Sequence, residues 1–277
     1  MEFLIRKASG KREPFQEEKF KTSLRRIGAD EATIAEILDE VRSQYPNIRS
    51  TRQLFRMARS HLTRTNPMLA TRYNLKQALL QLGPTGFPLE SFIAALFAYE
   101  GFKVITDQVV AGKCIRHEID VIAHLKDKTY MIESKFHNRQ NLKSDVKVPL
   151  YIKARFEDIR QAWQQHVPNS REFTDIWIIT NTEFTSDAVQ YAQCEHMHLM
   201  SWRYPAGNAL RDLISKHRLH PITALVHLSP RQKRELLRKG LVLCRDIIVH
   251  QKLLAELGLK PAEIERLVQD AQRLCSL

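Results

Sequence analysis

Asp120, Glu133 and Lys135 are the residues whose types and spacing bring chemistry to mind. They sit in two runs rich in β-branched and apolar residues, 117–123 and 130–135, separated by the polar Lys126-Asp127-Lys128. That pattern predicts an antiparallel hairpin. With Asp127-Lys128 as a two-residue loop, Asp120 falls opposite Lys135 and Ile122 opposite Glu133. The side-chain period of two then places Asp120, Glu133 and Lys135 on one face. Two neighbouring carboxylates suit a hard divalent cation, Mg²⁺ or Mn²⁺, and an adjacent lysine can hold or polarise a water. The competing reading is a solvated face, since Glu-x-Lys is common on exposed strands. Ile119, Val121, Met131 and Ile132 argue that the hairpin lies inside a sheet, where three charges on one face are costly unless paired or metal-bound.

The chain around these residues has 277 positions, room for two domains or three small ones, and 43% of it is hydrophobic. No apolar run approaches a membrane span and residues 1–6 lack a signal-peptide core, so a cytoplasmic protein with no membrane partner is expected. Cys114, Cys194, Cys244 and Cys275 show no paired spacing, which fits free thiols. Cys194-x-His196-x-His198 is metal-like but lacks an evident fourth ligand, so a structural role is expected. The net charge of +12 points to a polyanionic partner, nucleic acid or nucleotide. Between Glu40 and Glu90 no acidic residue occurs, while Arg49, Arg52, Arg56, Arg59, Arg72 and Lys76 all fall there.

Residues 1–83 begin with a short strand, a turn at Ser9-Gly10-Lys11 and then helices. Phe20, Leu24 and Ile27 recur at helical spacing, as do Ile34, Ile37, Leu38 and Val41. Ser50-Thr51 can cap a third helix with Arg49, Arg52, Arg56 and Arg59 along one face, and a fourth runs to a break at Gly83-Pro84. The opening through Lys7, Gly10, Phe15 and Lys19 resembles the ATP-cone domain, a nucleotide-binding regulatory module. The resemblance implies that Ile5, Lys7, Glu13, Gln16 and Lys19 surround the base and phosphates of ATP or dATP. Ala8 and Ser9 depart from the arginine and aspartate usual in that family, and Arg52 or Arg56 could supply the missing phosphate contact. A helical domain whose basic face contacts DNA is the other reading of the same arginines.

From Gly86 a helix is predicted, with Phe92, Ile93, Leu96 and Phe97 buried and Glu90 in its first turn; there a carboxylate is favoured electrostatically whether or not it has a further role. A strand over 102–105, the hairpin, a helix over 150–165, an apolar strand over 175–181, a helix over 182–192 and a strand over 198–202 complete the run. Such alternation predicts a mixed sheet layered by helices. Gly86-Phe87-Pro88-Leu89-Glu90, Glu118-Ile119-Asp120, Glu133-Ser134-Lys135 and Thr180-Asn181-Thr182 together resemble the Mrr-like branch of the PD-(D/E)xK nucleases, with Ile119 where the family name has proline. The resemblance implies that Asp120 and Glu133 bind Mg²⁺, that Lys135 positions the water or stabilises the developing charge, and that Glu90 assists. Gln161 is expected to orient Lys135 or contact a phosphate. His117 and His137 flank the site as polar neighbours.

Residues 219–277 read as a small helical bundle, its glycine turns at Gly240 and Gly258 either ordinary loops for packing or dimerisation, or helix-hairpin-helix turns meeting a DNA phosphate. The expected architecture is therefore α/β: a restriction-endonuclease-like mixed sheet flanked by helices over 84–218, preceded by an ATP-cone-like domain over 1–83 and followed by the bundle. The expected function is a Mg²⁺-dependent DNA endonuclease, a homo-oligomer regulated by ATP or dATP. The alternative is a non-catalytic regulator that senses nucleotide and grips nucleic acid.

Overall fold

The computed structural model describes residues 4–7, 10–45, 47–83, 85–166 and 173–275, with only the backbone of 164–166. Ala8, Ser9 and Pro84, each of interest in the sequence, lie outside the described residues. The chain opens with β1 (Leu4–Arg6) and β2 (Arg12–Pro14), paired antiparallel. Helices α1 (Glu17–Arg25), α2 (Glu31–Ser43) and α3 (Thr51–Thr65) come next. Asp30 and Ser50 cap α2 and α3 by accepting the Thr33 and Gln53 backbone N–H groups. The expected fourth helix is two, α4 (Pro67–Tyr73) and α5 (Leu75–Leu80), parted at Asn74. Ile5, Phe20, Leu24, Ile34, Ile37, Leu54 and Leu62 form a core of their own between these helices and the β1–β2 ribbon.

The middle of the chain holds α6 (Phe87–Tyr99), β3 (Lys103–Ala111), β4 (Arg116–Leu125), β5 (Lys128–Lys135) and β6 (Lys143–Ser144). They are succeeded by α7 (Lys147–His166), β7 (Phe173–Thr180), β8 (Glu183–Phe184), α8 (Ser186–Cys194), β9 (His198–Met200) and α9 (Leu210–His217). The main sheet has the order β3-β4-β5-β7-β9, antiparallel across its first three strands and parallel thereafter. A mixed sheet layered by helices was the expectation, and it is observed. On one face lies α6, apolar almost all round as a doubly covered helix must be, with Leu89, Phe92 and Ile93 fully out of water. Each such side chain contributes roughly 1.5–3 kcal/mol. The opposite face packs against α7 and α8 through Met131, Ile178, Phe156 and Ile159.

The last helices are α10 (Pro230–Arg238), α11 (Asp246–Val249), α12 (Gln251–Glu256) and α13 (Pro261–Cys275), entered through a 3₁₀ turn at Ile222–Ala224. Their core is not separate. Leu236, Leu243, Ile247, Leu267 and Leu274 join one apolar cluster with Leu79 of α5, Phe92 of α6 and Ile132 of the sheet. One polar bond crosses the join, Thr223 Oγ1 donating to the Ala78 carbonyl at 2.7 Å, and the buried Lys233 ammonium holds Thr223 by donating to its carbonyl at 2.7 Å. Breaks in packing therefore do not coincide with boundaries drawn at 83 and 218; α5 shares the core of the sheet and of the C-terminal helices.

His220 lies at this join, 4% exposed, its Nδ1 without a hydrogen-bond partner. Burial, then the charges of Arg72, Arg218 and Arg245, push its pKa down to about 4. The folded state thus keeps it neutral, whereas the unfolded chain takes up a proton near pH 6.5. Stability from this residue is present above pH 6.5 and is lost as pH falls to 4, by up to about 3 kcal/mol. In urea titrations across that range the wild type should lose stability more steeply than His220→Gln; equal slopes would remove His220 as the cause.

Candidate active site at the end of the hairpin

The hairpin turn is one residue earlier than its sequence predicts. Leu125 pairs with Lys128, so the loop is Lys126-Asp127, with Lys126 in the left-handed region at φ 55°. Ile122 accordingly faces Met131, not Glu133, and continuing the register places Asp120 opposite Glu133, not Lys135. The ladder between β4 and β5 ends at Val121 and Ile132. There β4 changes phase: Ile119 packs with the α7 layer, whereas Val121 and Ala123 pack with the α6 layer. Regular alternation would keep Ile119 and Val121 together. The neighbouring β3 marks the same level with Asp107, left-handed at φ 53° between residues that pair in register with β4. Asp120 Oδ2 takes the Ser134 N–H at 2.7 Å, replacing a ladder bond at this irregularity.

Carboxylates converge here from three directions. Glu90 arrives from the first turn of α6, where Gly86 leaves room for it; a Cβ on Gly86 would meet Glu90 Oε1 at 2.6 Å. Burial, then Asp120, Asp107 and Glu118, raise Glu90 to about 7. Burial, then Asp120, raises Glu133 to about 8 against the opposing pull of Arg155. Asp120 is also raised, by burial, with the Ser134 bonds resisting. Lys135, one strand repeat beyond Glu133, is exposed, and its ammonium has no ion-pair partner among the described residues. Asp120, Glu133 and Glu90 thus lie within electrostatic reach of one another, at the end of β5 that carries Lys135.

Arg155 of α7 was not anticipated. Its Nη1 donates to Glu133 Oε2 at 2.6 Å, its Nη2 donates to the Glu118 carbonyl, and its guanidinium lies 5.4 Å from the centre of the Tyr151 ring. Nothing local in the sequence distinguishes it from a helix-surface arginine, although it precedes the buried Phe156 by one position. Gln161, expected to reach Lys135, instead accepts from Lys113 Nζ at 3.2 Å. It lies two turns further along α7, over the β3–β4 connection. Each histidine has a polar partner, and His117 is also buried. His117 Nε2 meets Asp158 Oδ2 at 2.7 Å, and His137 Nε2 meets Ser144 Oγ at 3.0 Å.

Among the described residues, no group of three or more His, Cys, Asp or Glu side chains stands ready as a metal cage. That includes Cys194, His196 and His198; His198 stacks on Trp177 at 4.6 Å instead. The donor chemistry of the hairpin end nevertheless fits a hard cation. Glu133 Oε1 is buried without a hydrogen-bond partner, and the neighbouring carboxylates are held at raised pKa by burial and mutual repulsion, which a divalent cation relieves.

In the N-terminal unit, Ile5, Lys7, Gln16, Lys19, Arg52 and Arg56 line one cleft of about 1060 Å³. Glu13 is not among its lining residues and forms an ion pair with Lys7. Arg6, Arg59 and Lys76 add further cations, and no described lining residue is acidic.

If the Arg155 pair holds the buried Glu133 in place, Arg155→Ala at a pH above 8, where Glu133 is ionised beside Arg155, should cost up to about 3 kcal/mol of unfolding free energy, because an uncompensated carboxylate is left inside. Adding Glu133→Gln should recover much of that loss. A urea double-mutant cycle reads the coupling, and strictly additive losses would refute it.

A family model described as AF1548-like, C-terminal, matches residues 220–275. An uncharacterized protein of Archaeoglobus fulgidus is 34% identical over 183 residues, which span 66% of this chain and 99% of that protein. A solved structure, described as that of the protein of unknown function AF1548, superposes with a TM-score of 0.57 at 32% identity. It covers 69% of this chain and 98% of its own. Sharing both its C-terminal helices and most of a relative's length at this identity, the chain belongs to the AF1548-like family.

Proposed function

We propose that this protein is a Mg²⁺-dependent DNA endonuclease whose activity responds to ATP or dATP. The observation that carries the reading is the buried Glu133, its Oε1 without a hydrogen-bond partner, opposite Asp120 in the ladder register and within electrostatic reach of Glu90, at the strand end that presents Lys135. A binding surface for a polyanion gains nothing from buried carboxylates, which repel it. A site for phosphodiester hydrolysis needs them. Asp120 and Glu133 would hold the cation, with Glu90 at its margin. A bound divalent cation would activate water and neutralise charge building on the phosphate. Lys135 holds a water or the phosphate oxygen beside the carboxylates, its ammonium free for that purpose. Arg155 occupies Glu133 Oε2 when no cation is present, and its guanidinium is then available to the phosphate once Glu133 takes a new partner. The net charge of +12 supports a nucleic-acid substrate.

The Arg155–Glu133 pair also favours a second reading. In a non-catalytic regulator that senses nucleotide and grips DNA, it would be a permanent substitute for a cation. No helix among the described residues is long and apolar enough to cross a membrane.

A cleavage panel of plain, methylated and single-stranded DNA, with Mg²⁺ and with or without ATP, separates the two readings. Asp120→Asn and Lys135→Ala should each lower cleavage by roughly 10²–10³-fold while leaving the thermal unfolding transition cooperative. Full cleavage by either variant, or no cation binding by the wild type in a calorimetric titration, would defeat the nuclease reading.

A further inference from the structure

The basic cleft is not closed by the N-terminal unit alone. Asn138, Gln140 and Asn141 line its other side. They belong to the segment that leaves β5 directly after Lys135, and both ends of that segment are pinned. At one end the buried Asn181 amide brackets the His137 backbone, accepting its N–H and donating to its carbonyl, each at 2.8 Å. At the other, β6 pairs with β8, and the Thr185 N–H donates to the Ser144 carbonyl at 3.1 Å. The His137–Ser144 contact ties the two ends together. Residues 138–143 therefore form a short hoop on the catalytic strand, and the tip of the hoop is a wall of the cleft. Phe136, at its root, lies against Gly83, where a Cβ would collide with the ring.

The cleft has its own chemistry. Lys7 is paired with Glu13, but Arg6, Lys19, Arg52, Arg56, Arg59 and Lys76 form no ion pair among the described residues and suit several phosphates. Phe55 and Tyr73, both lining it, stack on each other at 5.0 Å and 16° and so put a pair of fixed aromatic rings in its wall, apolar material for a base to pack beside. Asn74, 1% exposed and also lining the cleft, keeps Oδ1 without a hydrogen-bond partner. An orphaned buried acceptor costs free energy until an N–H reaches it, and the amino edge of a base supplies one. About 1060 Å³ accommodates a nucleoside triphosphate and leaves part of it against the far wall.

We propose that a nucleoside triphosphate in this cleft touches Asn138, Gln140 and Asn141 directly, so that the occupant sets the position of the hoop between Lys135 and β6. The proposal rests on the nucleotide-regulated nuclease reading and supplies its route: the effector meets the catalytic unit itself. No relay through packed side chains is required. A ligand can shift the hoop only by binding one of its positions better than another, and the shift is reciprocal, so whatever seats the hoop from the active-site side alters nucleotide affinity by the same factor.

Two measurements on the full chain with ATP as the probe decide it. Hydrogen exchange should show residues 137–143 becoming protected together with the Arg52–Arg59 face of the cleft. In a fluorescence titration, the triple variant Asn138→Ala, Gln140→Ala, Asn141→Ala should bind ATP roughly tenfold more weakly. These side chains carry little of the apolar core, and circular dichroism verifies that the variant is folded. ATP binding with unchanged exchange at 137–143 and unchanged affinity in the variant would overturn the shared wall, as would no ATP binding at all. Protection of the hoop in a protein that cleaves no DNA would uphold the contact and defeat the nuclease reading instead.

Discussion

Carboxylates withdrawn from water repel one another and resist ionisation, so a protein that gathers them at one point must hold each in place by some other means. Here the means differ for each residue. Glu90 is seated by the start of α6 and by the absence of a side chain at Gly86. Asp120 is held by the Ser134 N–H, at the level where β4 loses its ladder to β5 and changes phase. Glu133 is held by Arg155, which reaches it from the opposite layer. Loss of the Ser134 or the Arg155 contact leaves a buried carboxyl group without that partner, a larger penalty than the net gain the contact brings when present. The apolar layers on either side keep water out and make the arrangement costly; they also make it rigid.

The C-terminal helices contribute to that rigidity from a distance. They share a core with α5, α6 and the sheet; Thr223 Oγ1 ties them to the Ala78 carbonyl of α5, and Lys233 braces Thr223 from within the C-terminal segment. The N-terminal unit keeps its own apolar cluster but docks through α4 against α13. A cleft between the N-terminal unit and the hoop after β5 can therefore persist as a defined shape, because the bodies on both sides are anchored to the same layer.

Much of this was legible in the sequence, and the parts that were not share a cause. Apolar periodicity located α2, α3, α6 and α7, and the buried strand β7, because those patterns are local. The hairpin was legible, but its turn was not: Lys126 adopts a left-handed conformation that glycine or asparagine would have signalled and lysine does not. The one-residue error left Asp120, Glu133 and Lys135 as candidates but altered who faces whom. Arg155 meets Glu133 across 22 residues of chain, and Gln161 meets Lys113 across 48; neither partner is set by local spacing. Residues 219–277 announced a helical bundle, while what Leu236, Leu237 and Leu254 pack against depended on the whole fold. The residues of the basic cleft came from a resemblance, and the hoop that closes it could only be found in three dimensions.

Asp107 carries one more consequence. Strand β3 is the outer strand of the main sheet, nine residues long, with Ile105 and Val109 turned outward at 49% and 54% exposure. A flat apolar edge of that length is a template on which another chain can add a strand, and so a route to aggregation. The left-handed residue at its midpoint breaks the line of free N–H and C=O groups into two short stretches, with a charge between them. The same backbone departure that brings a carboxylate within electrostatic reach of Glu90 thus makes the border of the sheet a poor match for a second strand.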